Sequence, residues 1–225
     1  MIAINRSDKA VPANPGKYPA LPAFGVDVSG KIPAPVNQLP AYNAALETPR
    51  VYEDIAASRD ASKWTKYNFA SSWIWDSKVV KGETAAAALI LDLKKLPAQA
   101  ELLGTADDNS RLFVNGKLCG QSIQWGMVSR FDILPLLKPG KNIIVIEGTD
   151  GGALPCGILG GVLIDGKFTP TGKEWKTQVV PYQANPDYSD PAMVNGWQNA
   201  HIIAPFGGGA WGSNLKVKKT ADKVK

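Results

Sequence analysis

The dipeptide Asn115-Gly116, inside the stretch ADDNSRLFVNGKLCG at 106–120, constrains this chain more than any other feature. A two-residue type I′ turn needs positive φ at both central positions, and asparagine followed by glycine is the pair that tolerates this best. On the approach, Leu112 and Val114 point to one face and Arg111 and Phe113 to the other, while Lys117 and Leu118 begin the return strand. A β-hairpin is expected here. The stretch holds no nucleophile paired with a base, no metal-ligand cluster and no phosphate loop, so it speaks for architecture and binding before chemistry.

Strand patterns recur from residue 71 onward. SSWIWD at 71–76 puts Trp73 and Trp75 on one side and Ile74 on the other. AAAALILDL at 85–93 and QAELLGTAD at 99–107 follow, separated by the turn Lys94-Lys95-Leu96-Pro97. After the hairpin come SRFDIL at 129–134, KNIIVIEGTD at 141–150, GILGGVLID at 157–165 and a second hairpin return after Asp165-Gly166. Many short strands with closely spaced turn signals and no helix-spaced apolar pattern indicate an all-β fold, an antiparallel β-sandwich or jelly roll.

The first fifty residues are different. Eight of the 17 prolines lie there, spaced so that neither a helix nor a central strand can establish itself. Residues 1–50 are expected to form an extended proline-rich arm. Apolar residues interrupt it regularly, among them Tyr18, Leu21, Phe24, Val26, Val28 and Ile32, and an arm with such anchors gains by lying against other protein subunits. Val26-Asp27-Val28 has the alternation of a strand that could cover a sandwich edge. Residues 51–70 are the connector, with a short helix suggested by Val51, Ile55 and Arg59; 71–215 form the sandwich; KVKKTADKVK at 216–225 is a basic tail.

The formal charge of +5 is modest and gathers in that tail, where five lysines face one aspartate. Contact with nucleic acid or an acidic surface is one reading and a solvated tail the favoured one, since interleaved arginines and aromatics are missing. The N-terminal residues lack the apolar run of roughly 7–15 residues that a secretory signal requires, and no apolar window reaches the roughly 18 residues of a membrane-spanning helix. The expectation is a protein that stays inside the cell or leaves by another route, such as lysis. Cys119 and Cys156 leave two readings open, a disulfide if their Cα atoms approach within about 7 Å, or buried thiols acting as small apolar side chains.

In order, SWIWD, ADDNSRLFVNGKLCG, the lone Trp125, RFDILPLLKPGKNIIVIEGTDGG, GILGGVLIDG, EWKT and NGWQNAHIIAPFGGGAWG resemble the galactose-binding-like jelly-roll modules attached to rhamnosidase-type and related glycoside hydrolases. The resemblance covers about 71–215. It implies a β-sandwich and a non-catalytic role, with sugar binding in some relatives and structural support in others. Those modules usually belong to long secreted enzymes, whereas here a proline-rich arm stands in place of a catalytic domain, which favours use of the sandwich as a building block.

Sugar recognition needs a flat aromatic ring for the C–H face of a pyranose beside carboxylates or amides for its hydroxyls. Trp73, Trp75, Trp125, Trp197 and Trp211 are the candidate rings, with Trp125 and Trp211 preferred, and Asp107, Asp108 and Asn109 supply polar atoms. The plainer reading fills the core with tryptophans and lets Asp107–Asn109 satisfy backbone donors in a tight turn. Calcium at Asp107, Asp108 and Asp150 lacks EF-hand spacing, and no metal or other cofactor is expected. Catalysis fares worse. His201 is the sole histidine and no GxSxG elbow accompanies it, while Glu83, Glu101, Glu147, Asp150 and Glu174 form no recognisable glycosidase pair. The runs Gly151-Gly152, Gly160-Gly161 and Gly207-Gly208-Gly209 lack the context of phosphate loops and read as turns and bulges.

Two functional readings follow. The first is a non-enzymatic, oligomeric structural component of a large assembly, foremost a bacteriophage virion, displaying a carbohydrate-binding-like sandwich on the virion surface and fastened by its arm. The alternative is a free-standing carbohydrate-binding module or an accessory domain of a glycoside hydrolase system, reaching the outside without a signal peptide.

Overall fold

Strands that are apolar on both faces, such as AAAALIL and NIIVIEG, need cover on both sides, and the fold supplies it. The computed structural model describes residues 2–4, 26–28, 60–77, 82–122, 124–152 and 155–224. The chain divides into two units, Met1–Pro49 and Arg50–Lys225.

In the first unit β1 (Ile2–Ile4) pairs antiparallel with β2 (Val26–Val28), Ile2 opposite Val28. Val26-Asp27-Val28 is thus a strand, as its alternation predicts, and its partner is a segment of its own chain. Tyr18, Leu21, Phe24 and Ile32 lie outside the described residues, as does the short helix expected around Val51–Arg59.

The second unit is the sandwich. Its strands are β3 (Trp64–Lys66), β4 (Ser72–Trp75), β5 (Thr84–Leu93), β6 (Ala100–Asp107), β7 (Asn109–Val114), β8 (Lys117–Ser122), β9 (Met127–Asp132), β10 (Gly140–Thr149), β11 (Gly157–Ile164), β12 (Lys167–Pro170), β13 (Lys176–Val180), β14 (Gln198–Asn199), β15 (His201–Pro205), β16 (Lys216–Lys218) and β17 (Asp222–Lys223). One sheet has the order β14-β13-β5-β10-β7-β8; the other runs β15-β4-β11-β6-β9-β16-β3, with β12 also on β11 and β17 on β9. Pairing is antiparallel except where β16 and β17 lie parallel to β9. The expected all-β antiparallel sandwich is what the chain forms.

Both predicted hairpin turns are present, with φ of 49° and 82° at Asn115 and Gly116, and 46° and 81° at Asp165 and Gly166. The alternation read around the first also holds. Leu112 and Val114 enter the core between the sheets, and Phe113 enters a separate cluster on the outer face. The inter-sheet core takes Ala85, Ala87, Leu102, Ile144, Ile146, Ile158 and Trp175 among others. At Gly148 the sheets come so close that a Cβ would lie 2.7 Å from Ile158 Cγ1 and 2.9 Å from Ala106 Cβ.

Several expectations are corrected. Trp73 and Trp75 do not share a cluster: Trp73 joins the outer face of the larger sheet, while Trp75 joins the inter-sheet core with Ile74. Their strand, β4, lies beside a register shift between Ile202 and Ala204 of β15, where simple alternation breaks down. Gly160-Gly161 is no turn; it sits inside β11 opposite Gly104 and Leu103, and a Cβ on Gly160 would meet the Leu103 carbonyl oxygen at 2.1 Å. The basic tail is not a loose appendage either. Lys216–Lys218 and Asp222–Lys223 are strands, and Lys218 and Lys223 pair with Asp222 and Asp132. Cys119 and Cys156 are unbridged thiols buried in the core, each pushed up to about 12 chiefly by burial.

Candidate functional site

The turn Asp107-Asp108-Asn109 carries the chain from one sheet to the other, since β6 belongs to the larger and β7 to the smaller. That crossing gives the three residues different partners. Asp107 stays with the larger sheet, where its Oδ2 accepts a hydrogen bond from Trp211 Nε1 at 2.8 Å. Asp108 turns toward β10: its amide donates to the Thr149 carbonyl at 3.0 Å, and its Oδ2 accepts from the Gly151 amide at 2.8 Å. Asn109 is exposed at the start of β7, opposite Thr149.

Period-two alternation along β6 puts Leu103, Thr105 and Asp107 on one face. Each fixes something different. Leu103 packs in the outer aromatic cluster, and Thr105 Oγ1 donates to the Trp125 carbonyl at 3.1 Å, holding the loop between β8 and β9. Asp107 holds the loop of Trp211. The structure thereby brings Trp125, Trp211 and Asp107 to one face of the larger sheet; Asp108 lies in the crossing with its carboxyl still beside that of Asp107, and Asn109 begins a strand of the smaller sheet.

The two preferred tryptophans are not equivalent. Trp211 is only 4% exposed and its ring stacks on Trp73, centroids 4.2 Å apart and planes 20° from parallel. It supports the face from beneath rather than offering a ring to a ligand. Trp125 is half-buried and packs against the same cluster. Trp73, Trp75 and Trp175 are fully buried, and Trp197 is half-buried against the outer cluster of the smaller sheet.

Around Asp107 the electrostatics are unfavourable to charge. Burial, followed by Asp108 and Asp150, raises its carboxyl to about 6 against the opposing hydrogen bond from Trp211. Asp150 is buried, its Oδ2 accepting from the Gly82 amide at 2.8 Å, so two of the three aspartates considered for calcium bind backbone amides and the third binds an indole. Among the described residues no group of three or more His, Cys, Asp or Glu side chains is arranged to hold a metal. His201 is exposed on β15, opposite Trp75.

Sequence reasoning missed the partner of Asp107 and the second aromatic wall. Tyr67, Phe69, Phe168 and Phe206 pack edge-on or tilted on this face, with centroids 4.6–5.4 Å apart. The available signal was the density of aromatics in 64–75 and 197–211, two segments that flank the sandwich in sequence and meet on its surface.

No protein-family profile and no curated protein matches the chain. Solved structures do. The lectin of Pleurotus ostreatus in complex with GalNAc is similar at 27% identity and a TM-score of 0.55, over 67% of this chain and 46% of the lectin; its apo form gives the same values. The Streptomyces avermitilis alpha-L-rhamnosidase complexed with L-rhamnose is similar at 21% identity and a TM-score of 0.56, over 71% of this chain and 18% of the enzyme. The chain thus spans less than half the length of the lectin and less than a fifth of the rhamnosidase. The likeness carried by the sequence motifs, to a galactose-binding-like module found with rhamnosidases, is present in the fold.

Proposed function

We propose that this protein is a non-catalytic carbohydrate-binding protein whose sandwich presents Trp125 to a galactose-type sugar, on the face that also carries Asp107. The observation that supports this most is the likeness to a lectin solved with GalNAc, combined with a tryptophan that is anchored through its backbone and still half open. A ring held in this way offers a flat apolar surface to sugar C–H groups without losing side-chain freedom on binding. The test is calorimetry with N-acetylgalactosamine, galactose and rhamnose. Binding that disappears in a Trp125→Ala variant with an unchanged circular-dichroism spectrum supports the proposal; absence of binding to all three sugars by the unaltered protein overturns it.

A second reading, a structural component displaying this sandwich on a virion surface or in another large assembly, is favoured by the ribbon of β1 and β2. Two strands alone are marginal in water, and in this sheet each has an outer edge with no partner among the described residues. Such an edge accepts a strand from a neighbouring subunit. Removing residues 1–50 should leave a folded sandwich that no longer incorporates, and normal incorporation of the truncated protein would rule this reading out.

A further inference from the structure

At the far side of the larger sheet, β3 is the last strand and pairs with β16. The register sets Lys66 directly opposite Lys216, and both side chains are exposed. Like charges at opposed positions on one sheet face repel and weaken the pairing. Neighbouring lysines are relieved: Lys218 pairs with Asp222 and lies 5.8 Å from the Trp64 ring centroid, while Lys63 reaches Asp60 at 3.7 Å. Among the described residues neither Lys66 nor Lys216 has a carboxylate within ion-pair distance. Both lysines line a groove of about 410 Å³ together with Trp64, Ser213, Asn214 and Leu215. That volume falls in the range of small-molecule sites, and the exposed residues Ser213 and Asn214 line it beside an uncompensated positive pair.

We propose that this groove binds an acidic monosaccharide. Its carboxylate sits between Lys66 and Lys216, and its hydroxyls pair with the exposed Ser213 and Asn214. An anion there removes a repulsion already present in the unliganded sheet, so binding and relief of strain act in the same direction. The site differs from that of Trp125, which does not line the groove, although the Lys216 amide donates to the Gly126 carbonyl beside it at 2.9 Å.

The experiment is calorimetry of the full chain with D-glucuronate at low and high salt, repeated with a Lys66→Gln, Lys216→Gln double variant and with Trp125→Ala. Expected are binding that weakens with salt, a loss of about tenfold or more in the double variant, and retention in Trp125→Ala, which separates this site from the neutral-sugar reading. Because the substitutions remove a like-charge pair, the melting temperature should hold or rise. Glucuronate binding unchanged in the double variant, no binding by the unaltered protein, or inorganic phosphate binding as tightly as glucuronate would each overturn the assignment.

Discussion

On the outer face of the larger sheet, Trp73 stacks on Trp211 among Tyr67, Phe69, Phe168 and Phe206, whereas on the outer face of the smaller sheet the cover is clasped by charge. There Arg111 and Glu147, directly opposed on β7 and β10, form an ion pair, and Tyr188 donates to Glu147 Oε2 at 2.6 Å. Arg111 also donates to the carbonyls of Gln183 and Ala184 and lies over the rings of Phe113 and Tyr182. One clasp therefore ties segment 182–188 to the sheet, and the short 3-10 turn Pro191–Gly196, capped by Asp190, continues the cover through Val194. The aromatic face stabilises by area and shape, which many arrangements of rings can supply. The charged face depends on one register, because a slip of a single residue would separate Arg111 from Glu147 and leave a buried charge alone.

The largest expected effect follows on the aromatic face. Trp211→Ala removes a buried indole, exposes Trp73 and takes away the partner of Asp107, so a loss of about 3–5 kcal/mol is expected in urea unfolding. Loss below about 1 kcal/mol would mean that the neighbouring rings close the gap and that this face is more plastic than the stack suggests.

The charged face should respond less to its first lesion and in a different way. Glu147→Gln keeps the shape and weakens the pairing with Arg111, which retains two backbone carbonyls, so about 2 kcal/mol is expected. Replacing the whole clasp, Arg111→Met with Glu147→Leu and Tyr188→Phe, should cost less than Glu147→Gln alone, since neither a buried charge nor the buried Tyr188 hydroxyl is left unpaired. A triple variant worse than the single one would show that the clasp contributes net stability rather than selecting the register.

The two faces are alike in how little of them the sequence exposes. Asn115-Gly116 fixes the pairing of β7 with β8, but the opposition of Arg111 and Glu147 depends on the register of β7 against β10, which no turn joins. The strands and both turns were legible because they are set by local chemistry. Contacts between remote segments were not. Nothing local to Trp73 indicates that Trp211 covers it, and nothing in KVKKTADKVK marks Lys216–Lys218 as a strand parallel to β9, because the alternation is three residues long and its partner lies far back in the chain. The candidate site was half legible: Trp125 and Asp107 came from the motifs, but the crossing that sends Asn109 to the other sheet belongs to the sheet topology.

The smallest expected effect probes the link between the aromatic face and Asp107. Burial holds Asp107 up at about 6, above its ordinary value of 3.8, so between these pH values the folded chain binds more protons than the unfolded one. Its contribution is therefore fully present below about pH 4 and is lost as pH rises through about 6. Asp107 is only half-buried, and solvent screening reduces the change to about 1 kcal/mol. Asp107→Asn keeps an oxygen for Trp211 Nε1 and removes the titration, so the difference between variant and unaltered protein should grow across this window in the variant's favour. Urea unfolding at intervals from pH 4 to 7 measures it. A pH-independent difference would place the carboxyl in open solvent, and with it would fail the picture of Trp211 as a buried support whose hydrogen bond is stronger to a charge that the surrounding rings disfavour.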